Sequence, residues 1–124
     1  MTKKIVIVGA LGYLGTELCK IYSGESWRNK IIALDDRFIS ERVSQLKDWN
    51  IEFFQGHILD NKFLNKHLND ADVVHHLAGV TDVAYTKTEA NSELDERIRS
   101  IAIDGTNNIL KNIPNNCKII FPST

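Results

Sequence analysis

Three glycines at three-residue spacing, Gly9, Gly12 and Gly15 in "IVIVGALGYLG", follow an apolar run and open a helical pattern. Their chemistry lies in what they lack. The first permits a tight turn off a strand, the second lets a ligand approach bare main chain, and the third lets helix and strand pack closely. The helix starting there offers the backbone N–H groups of Tyr13 and Leu14 and the positive end of its dipole, a setting for a doubly charged diphosphate. Asp35 stands 20 residues beyond Gly15, closing "IIALD", a separation at which a carboxylate reaches the hydroxyls of an adenosine ribose. It accepts from the 2′- and 3′-hydroxyls and repels a 2′-phosphate, which favours NAD over NADP. Asp36 beside it reads as a solvated turn carboxylate, and Arg37 is close enough to serve a phosphate instead.

Those residues need a strand, a crossover helix and a second strand to hold them, and the rest of the chain supplies that frame. Short apolar runs alternate with longer amphipathic stretches, the pattern of βαβ units and a parallel sheet. Strands are expected at 4–8, 30–34, 51–54, 72–77 and 118–121, rich in Ile, Val and Phe as buried parallel strands are. Leu11, Leu14, Leu18, Ile21 and Tyr22 recur at helical spacing, and 40–49 forms a short helix with Val43 and Leu46 inward. Asp60 is placed to cap a helix whose face is Phe63, Leu64, His67 and Leu68. The longest helix opens at a capping box, Ser92 to Asp95, carries an apolar stripe of Ile98, Ile101, Ala102, Gly105, Ile109 and Leu110, and ends before Pro114. Residues 80–91 lack any period and read as a surface or binding loop. The fold class is therefore α/β, a Rossmann-type doubly wound parallel sheet of about five strands with helices on both faces, truncated after the fifth. A single NAD-binding domain spans 1–124.

A chain of 124 residues with 43% hydrophobic content is one ordinary globular domain that needs no disulfide or metal staple. Its net charge of −1 provides no footprint for nucleic acid. The N-terminal apolar run is broken by glycine far short of the about 20 residues of a membrane span, so a cytoplasmic protein is expected. The two cysteines, Cys19 and Cys117, have no CxxC spacing and read as free thiols. His75 and His76 are adjacent on a strand, point to opposite faces and are poorly placed to share a metal ion. Trp27 and Trp49 read as packing and rim residues.

Several ordered elements together resemble the N-terminal half of the extended short-chain dehydrogenase/reductase family, particularly its NAD-dependent nucleotide-sugar epimerases and dehydratases. Beside "GALGYLG" and Asp35, "GHILD" at 56–60, "VVHHLAG" at 73–79 and "DGTNNIL" at 104–110 are similar to the family's Gly-Asp-Ile-x-Asp, His-Leu-Ala-Ala and Gly-Thr elements. The resemblance implies that Leu77, Ala78 and Gly79 line the cofactor, and that His57 and Ile58 lie beside the adenine. Two positions depart from the pattern. His57 stands where the family usually has an aspartate bonded to the adenine amino group, and such a ring accepts only when neutral and in the right tautomer. Ala102 stands where an asparagine is common.

The same resemblance places Thr124, in "FPST", at the position of a Ser or Thr that bonds a substrate hydroxyl, as the catalytic candidate of this stretch. The family's general base is the tyrosine of a Tyr-x-x-x-Lys pair, and no such pair occurs here: Tyr85 is followed by Glu89 and Tyr22 by Ser26. The expectation is thus the dinucleotide-binding part of a longer enzyme, without the catalytic Tyr and Lys and without the substrate domain. The intact protein would move a hydride between a sugar carbinol and NAD, act on a nucleotide sugar, and pair as a homodimer. The alternative is a non-catalytic NAD(P)-binding sensor like the atypical relatives that keep the glycines and dispense with the tyrosine.

Overall fold

A computed structural model describes residues 2–78 and 92–122. The elements run β1 (Lys4–Val8), α1 (Tyr13–Tyr22), a 3-10 turn (Ser23–Glu25), β2 (Lys30–Asp35), α2 (Ser40–Asp48), β3 (Glu52–Gln55), α3 (Asn61–Leu68), β4 (Val73–His76), α4 (Ser92–Asn112) and β5 (Lys118–Ile120). All pairings are parallel and the order is β3-β2-β1-β4-β5. The chain winds outward in one direction through β2 and β3, then crosses back past β1 to β4 and β5. That reversal leaves a crevice beyond the carboxyl ends of β1 and β4, the place where open α/β sheets hold ligands. The α/β class, the five parallel strands and every expected element agree with the sequence reading, with ends shifted by a residue or two.

Alternation along each strand divides the interior into two cores. Ile5, Ile7, Ile31 and Ala33 face α1 and α2, where Cys19 and Leu46 are buried with them. Val6, Val8, Ile32, Leu34 and Val74 face α3 and α4 and meet Leu64, Leu68 and Ile109. Burial pushes the Cys19 thiol up to about 12, and both cysteines are free. Asn50, in the turn into β3, takes φ 60°, a left-handed conformation that asparagine tolerates better than most residues.

Two helical faces differ from expectation. Leu11 is buried in the loop before α1, while Leu14 and Ile21 of the expected stripe are exposed. Because α1 begins only at Tyr13, its inward face runs through Gly15, Leu18, Cys19 and Tyr22, and Leu14 and Ile21 fall roughly a quarter turn away from it at 3.6 residues per turn. On α4, Gly105, Ile109 and Asn112 are buried but Leu110 is exposed, since it lies about 100° around the helix from Ile109. The inward Asn112 breaks the apolar stripe that the sequence pattern outlines. The expected capping contact of Ser92 and Asp95, and the side chain of Ile98, lie outside the described side chains.

Candidate functional site

The glycine corner is built by the main chain. Gly9 takes φ +88°, and a Cβ there would come within 2.7 Å of the Ala78 nitrogen, so neither the conformation nor the space admits another residue. At Gly15 a Cβ would sit 2.7 Å from Ala10 Cα, which fixes glycine where α1 crosses the end of β1. Gly12 is different. Its φ is −73°, and the nearest groups to a Cβ are Arg37 Nη2 at 3.4 Å and Gly9 O at 3.6 Å. A side chain at this position would fit the protein and project into the cleft. Gly12 caps α1 without any side-chain bond to the helix amides, so the first N–H groups of α1 face the corner with no side chain spent on them.

Asp35 ties this corner to β2. Its carboxylate accepts from Leu11 N at 2.9 Å, Arg37 N at 3.0 Å, Arg37 Nε at 3.0 Å and Arg37 Nη2 at 3.1 Å. A carboxylate offers about four acceptor positions, and all four are engaged. Burial pushes the carboxyl up. The hydrogen bonds from the Arg37 side chain and from the two backbone N–H groups, with the guanidinium charge, outweigh it and hold the group below the usual carboxylate range. The neighbouring Asp36 is raised, by burial and then by the Asp35 carboxyl. The loop is pinned further by Gly9 N and Ala10 N donating to Leu34 O and by Arg42 donating to Leu11 O.

Around the corner opens a cleft of about 300 Å³. Of the residues singled out in the sequence, Gly9, Gly12, Leu14, Gly15, Asp35, Asp36, Arg37, His57, Ile58, Leu77 and Ala78 line it. Tyr13 is not among them and is 79% exposed; its expected role rests on its backbone N–H alone. Gly79 and Thr124, and the expected loop at 80–91, lie outside the described residues. The cleft also takes in Val8, Leu34, Gly56, Phe63, Leu64, Ile101 and Ala102. Val8 and Leu34 each lie one residue before a recognised position, Gly9 and Asp35, and are within reach of that logic. Phe63 and Ile101 arrive from helices far along the chain and carried no local signal.

His57 has a defined tautomer. Its Nδ1 accepts from Leu59 N at 3.0 Å, so in the neutral ring the proton sits on Nε2, which faces Asp36 Oδ2 at 3.9 Å. With its one acceptor nitrogen engaged, this ring cannot also accept from an adenine amino group; it presents a donor. His75 and His76 point to opposite faces, His75 Nε2 bonding Tyr22 Oη at 2.7 Å and His76 Nε2 bonding Thr106 Oγ1 at 2.9 Å. Burial holds both below the ordinary imidazole range. Among the described residues no group of three His, Cys, Asp or Glu side chains is placed to hold a metal ion, and no helix is long and apolar enough to cross a membrane.

A bare glycine corner, an acid at the end of β2 and a crevice at the sheet's switch point are the features a dinucleotide fold needs. Residues 6–124 match the 3-beta hydroxysteroid dehydrogenase/isomerase family. The chain belongs to that family. It falls within the extended short-chain dehydrogenases/reductases, as its glycine, Asp35 and Gly-Thr elements imply. It is similar to a dTDP-D-glucose 4,6-dehydratase of Dictyostelium discoideum, 31% identical over 131 aligned residues that cover 98% of this chain and 29% of that protein. A solved UDP-glucose 4-epimerase from Thermotoga maritima shares the fold at a TM-score of 0.74 and 21% identity, over 98% of this chain and 38% of the epimerase. So does a uronate dehydrogenase mutant from Agrobacterium tumefaciens, solved as an NAD complex, at a TM-score of 0.71 and 19% identity, over 100% of this chain and 42% of that one. The chain thus spans less than a third of the dehydratase's length.

Proposed function

We propose that this chain is the NAD-binding part of a nucleotide-sugar epimerase or dehydratase that works in the cytoplasm. The observation that carries the reading is the Gly12 corner, where the protein leaves room for a side chain that it does not have, beside the uncapped N-terminus of α1. The diphosphate would lie there, with the N–H groups of Tyr13 and Leu14 toward it, and the adenosine ribose would lie against Asp35. Since the four acceptor positions of Asp35 are filled, ribose hydroxyls bind only in exchange for the side-chain bonds of Arg37. Leu77 and Ala78, and Gly79 beyond them, would line the path toward the nicotinamide. When bound, the cofactor supplies a hydride acceptor.

What this chain contributes is binding and orientation. Thr124 is proposed to hold a substrate hydroxyl. No Tyr-x-x-x-Lys pair occurs in the 124 residues, so on their own they are expected to bind without turnover, with the base, the sugar-nucleotide site and much of a homodimer contact supplied by a longer protein. Calorimetric titration with NAD and with NADP, repeated on Asp35→Ala, tests the reading. NAD is expected to bind more tightly than NADP, and the substitution to weaken NAD by about tenfold, the loss of a charge-assisted bond. Comparable binding of both cofactors, unaltered by the substitution, overturns it.

A further inference from the structure

The wall of the cleft opposite the glycine corner is formed by the loop after β3, and that loop is held by α4. Asn108 Nδ2 donates to Ile58 O at 3.1 Å. One turn earlier on the same helix, Gly105 receives the Ile58 side chain so closely that a Cβ at Gly105 would lie 2.7 Å from Ile58 Cγ1. Ile58 is therefore gripped at its carbonyl and at its side chain by one face of α4. The helix is itself fixed to α3. Asn112, 8% exposed, donates to Asn61 Oδ1 at 2.8 Å and to Asn108 O at 2.8 Å, and accepts from Asn65 Nδ2 at 3.1 Å. Asn108 alone reaches Ile58, and the Asn112 bonds hold the helix that carries it against α3.

The site at stake is the base end of the cleft. With diphosphate at Gly12 and ribose at Asp35, the base falls on the side of β3, where Ile58 and Ala102 supply apolar surface of the kind that a planar ring packs on. We infer that Asn108 and Gly105 are positioning residues for the adenine, acting through Ile58: they set the height of the loop floor against which the base lies. This inference rests on the proposed NAD site. It assigns to α4 a task in binding that neither residue performs by touching the cofactor, since neither lines the cleft.

The test separates the two halves of the dinucleotide. Calorimetric titrations of the chain with NAD, AMP and NMN are made on the wild type, Asn108→Asp, Gly105→Ala, Ile58→Ala and the Gly105→Ala/Ile58→Ala pair. Asn108→Asp keeps the shape but has no N–H to donate to the Ile58 carbonyl, and it is expected to weaken NAD and AMP by about tenfold while leaving NMN unchanged. Gly105→Ala is expected to weaken AMP at least as much, by driving Ile58 into the cleft, and Ile58→Ala in the same chain should return AMP to within about threefold of Ile58→Ala alone. If Gly105→Ala does not fold, Asn108→Asp carries the test. Equal weakening of AMP and NMN, or AMP binding indifferent to Asn108→Asp, overturns the inference while the NAD site stands. A wild type that binds none of the three ligands overturns the site itself, and the inference with it.

Discussion

The two walls of the cleft are built by opposite means. The near wall, from Val8 to Gly15 with Asp35, comes from two adjacent segments and is fixed by close main-chain approach: Gly9 against Ala78, Gly15 against Ala10, and loop N–H groups on Leu34 O and Asp35. The far wall, from Gly56 to Ile58 with Ile101 and Ala102, is assembled across about 50 residues of sequence by side-chain amides and a helix crossing. The near wall has no tolerance for a β-carbon at Gly9 or Gly15, where the clash is with main chain. The far wall is also tight, since a Cβ at Gly56 would lie 2.5 Å from the Phe63 ring, but there the close contacts are with side chains and the wall depends in addition on side-chain hydrogen bonds between elements.

That contrast breaks first at Gly9. Replacing it with valine forces a positive φ on a β-branched residue and a clash with Ala78, and the chain should lose about 3 kcal/mol or more, read from urea or thermal unfolding. On the far wall, Asn112→Ala strips partners from Asn61 and Asn65 and should cost about 2 kcal/mol by the same measurement. A loss at Asn112 as large as that at Gly9 would mean that the far wall is the stricter of the two.

Acid should act on Asp35 and on the buried histidines of β4 in different pH ranges. Asp35, held below the usual carboxylate range, gives the near wall stability that is present above the ordinary value of 3.8 and lost only as pH falls further. His76, which ties α4 to β4 through Thr106, and His75, which ties α1 to β4 through Tyr22, are both lowered from 6.5. Below 6.5 the unfolded chain binds the more protons, so their contribution is complete above that pH and declines as pH falls through the lowered native values. The melting temperature should therefore drop well before the carboxylates titrate, and His75→Gln with His76→Gln should flatten that drop. A melting temperature level down to pH 4 speaks against neutral, buried histidines at these positions.

The smallest effect on stability is expected at Gly12. Its φ suits alanine and a Cβ would meet Arg37 Nη2 and Gly9 O only at contact distances of 3.4 and 3.6 Å, so Gly12→Ala should change stability by no more than about 0.5 kcal/mol, while NAD binding weakens about tenfold or more, the scale of one lost charge-assisted contact. A substitution there that harms folding as much as one at Gly9 would remove the distinction between a structural and a ligand-facing glycine.

The same contrast explains what could be read from the sequence. The near wall was legible because strand, turn, helix start and acid follow one another at spacings that the geometry of a βαβ unit fixes, and Asp60, an N-cap that accepts from Phe63 N at 3.1 Å, was legible for the same local reason. The far wall was legible only in name. Nothing near Asn108 or Asn112 in the chain indicates that one meets Ile58 and the other is buried, because their partners come from other elements. Apolar recurrence at helical spacing points Leu14, Ile21 and Leu110 inward, but the true faces depend on where each helix begins and what it packs on. That Arg37 closes on Asp35 was equally unreadable, although both residues were singled out, since a turn of two residues can place the guanidinium on the carboxylate or away from it.

The most direct measurement is a backbone-amide NMR titration of the chain with NAD. The expected result is a set of shifts that saturate together at Gly12 to Leu14, at Leu11 and Arg37, whose N–H groups share the Asp35 carboxylate, and at Gly56 to Ile58 across the cleft. Saturating NAD that leaves the Gly12 to Leu14 amides unmoved would contradict the account.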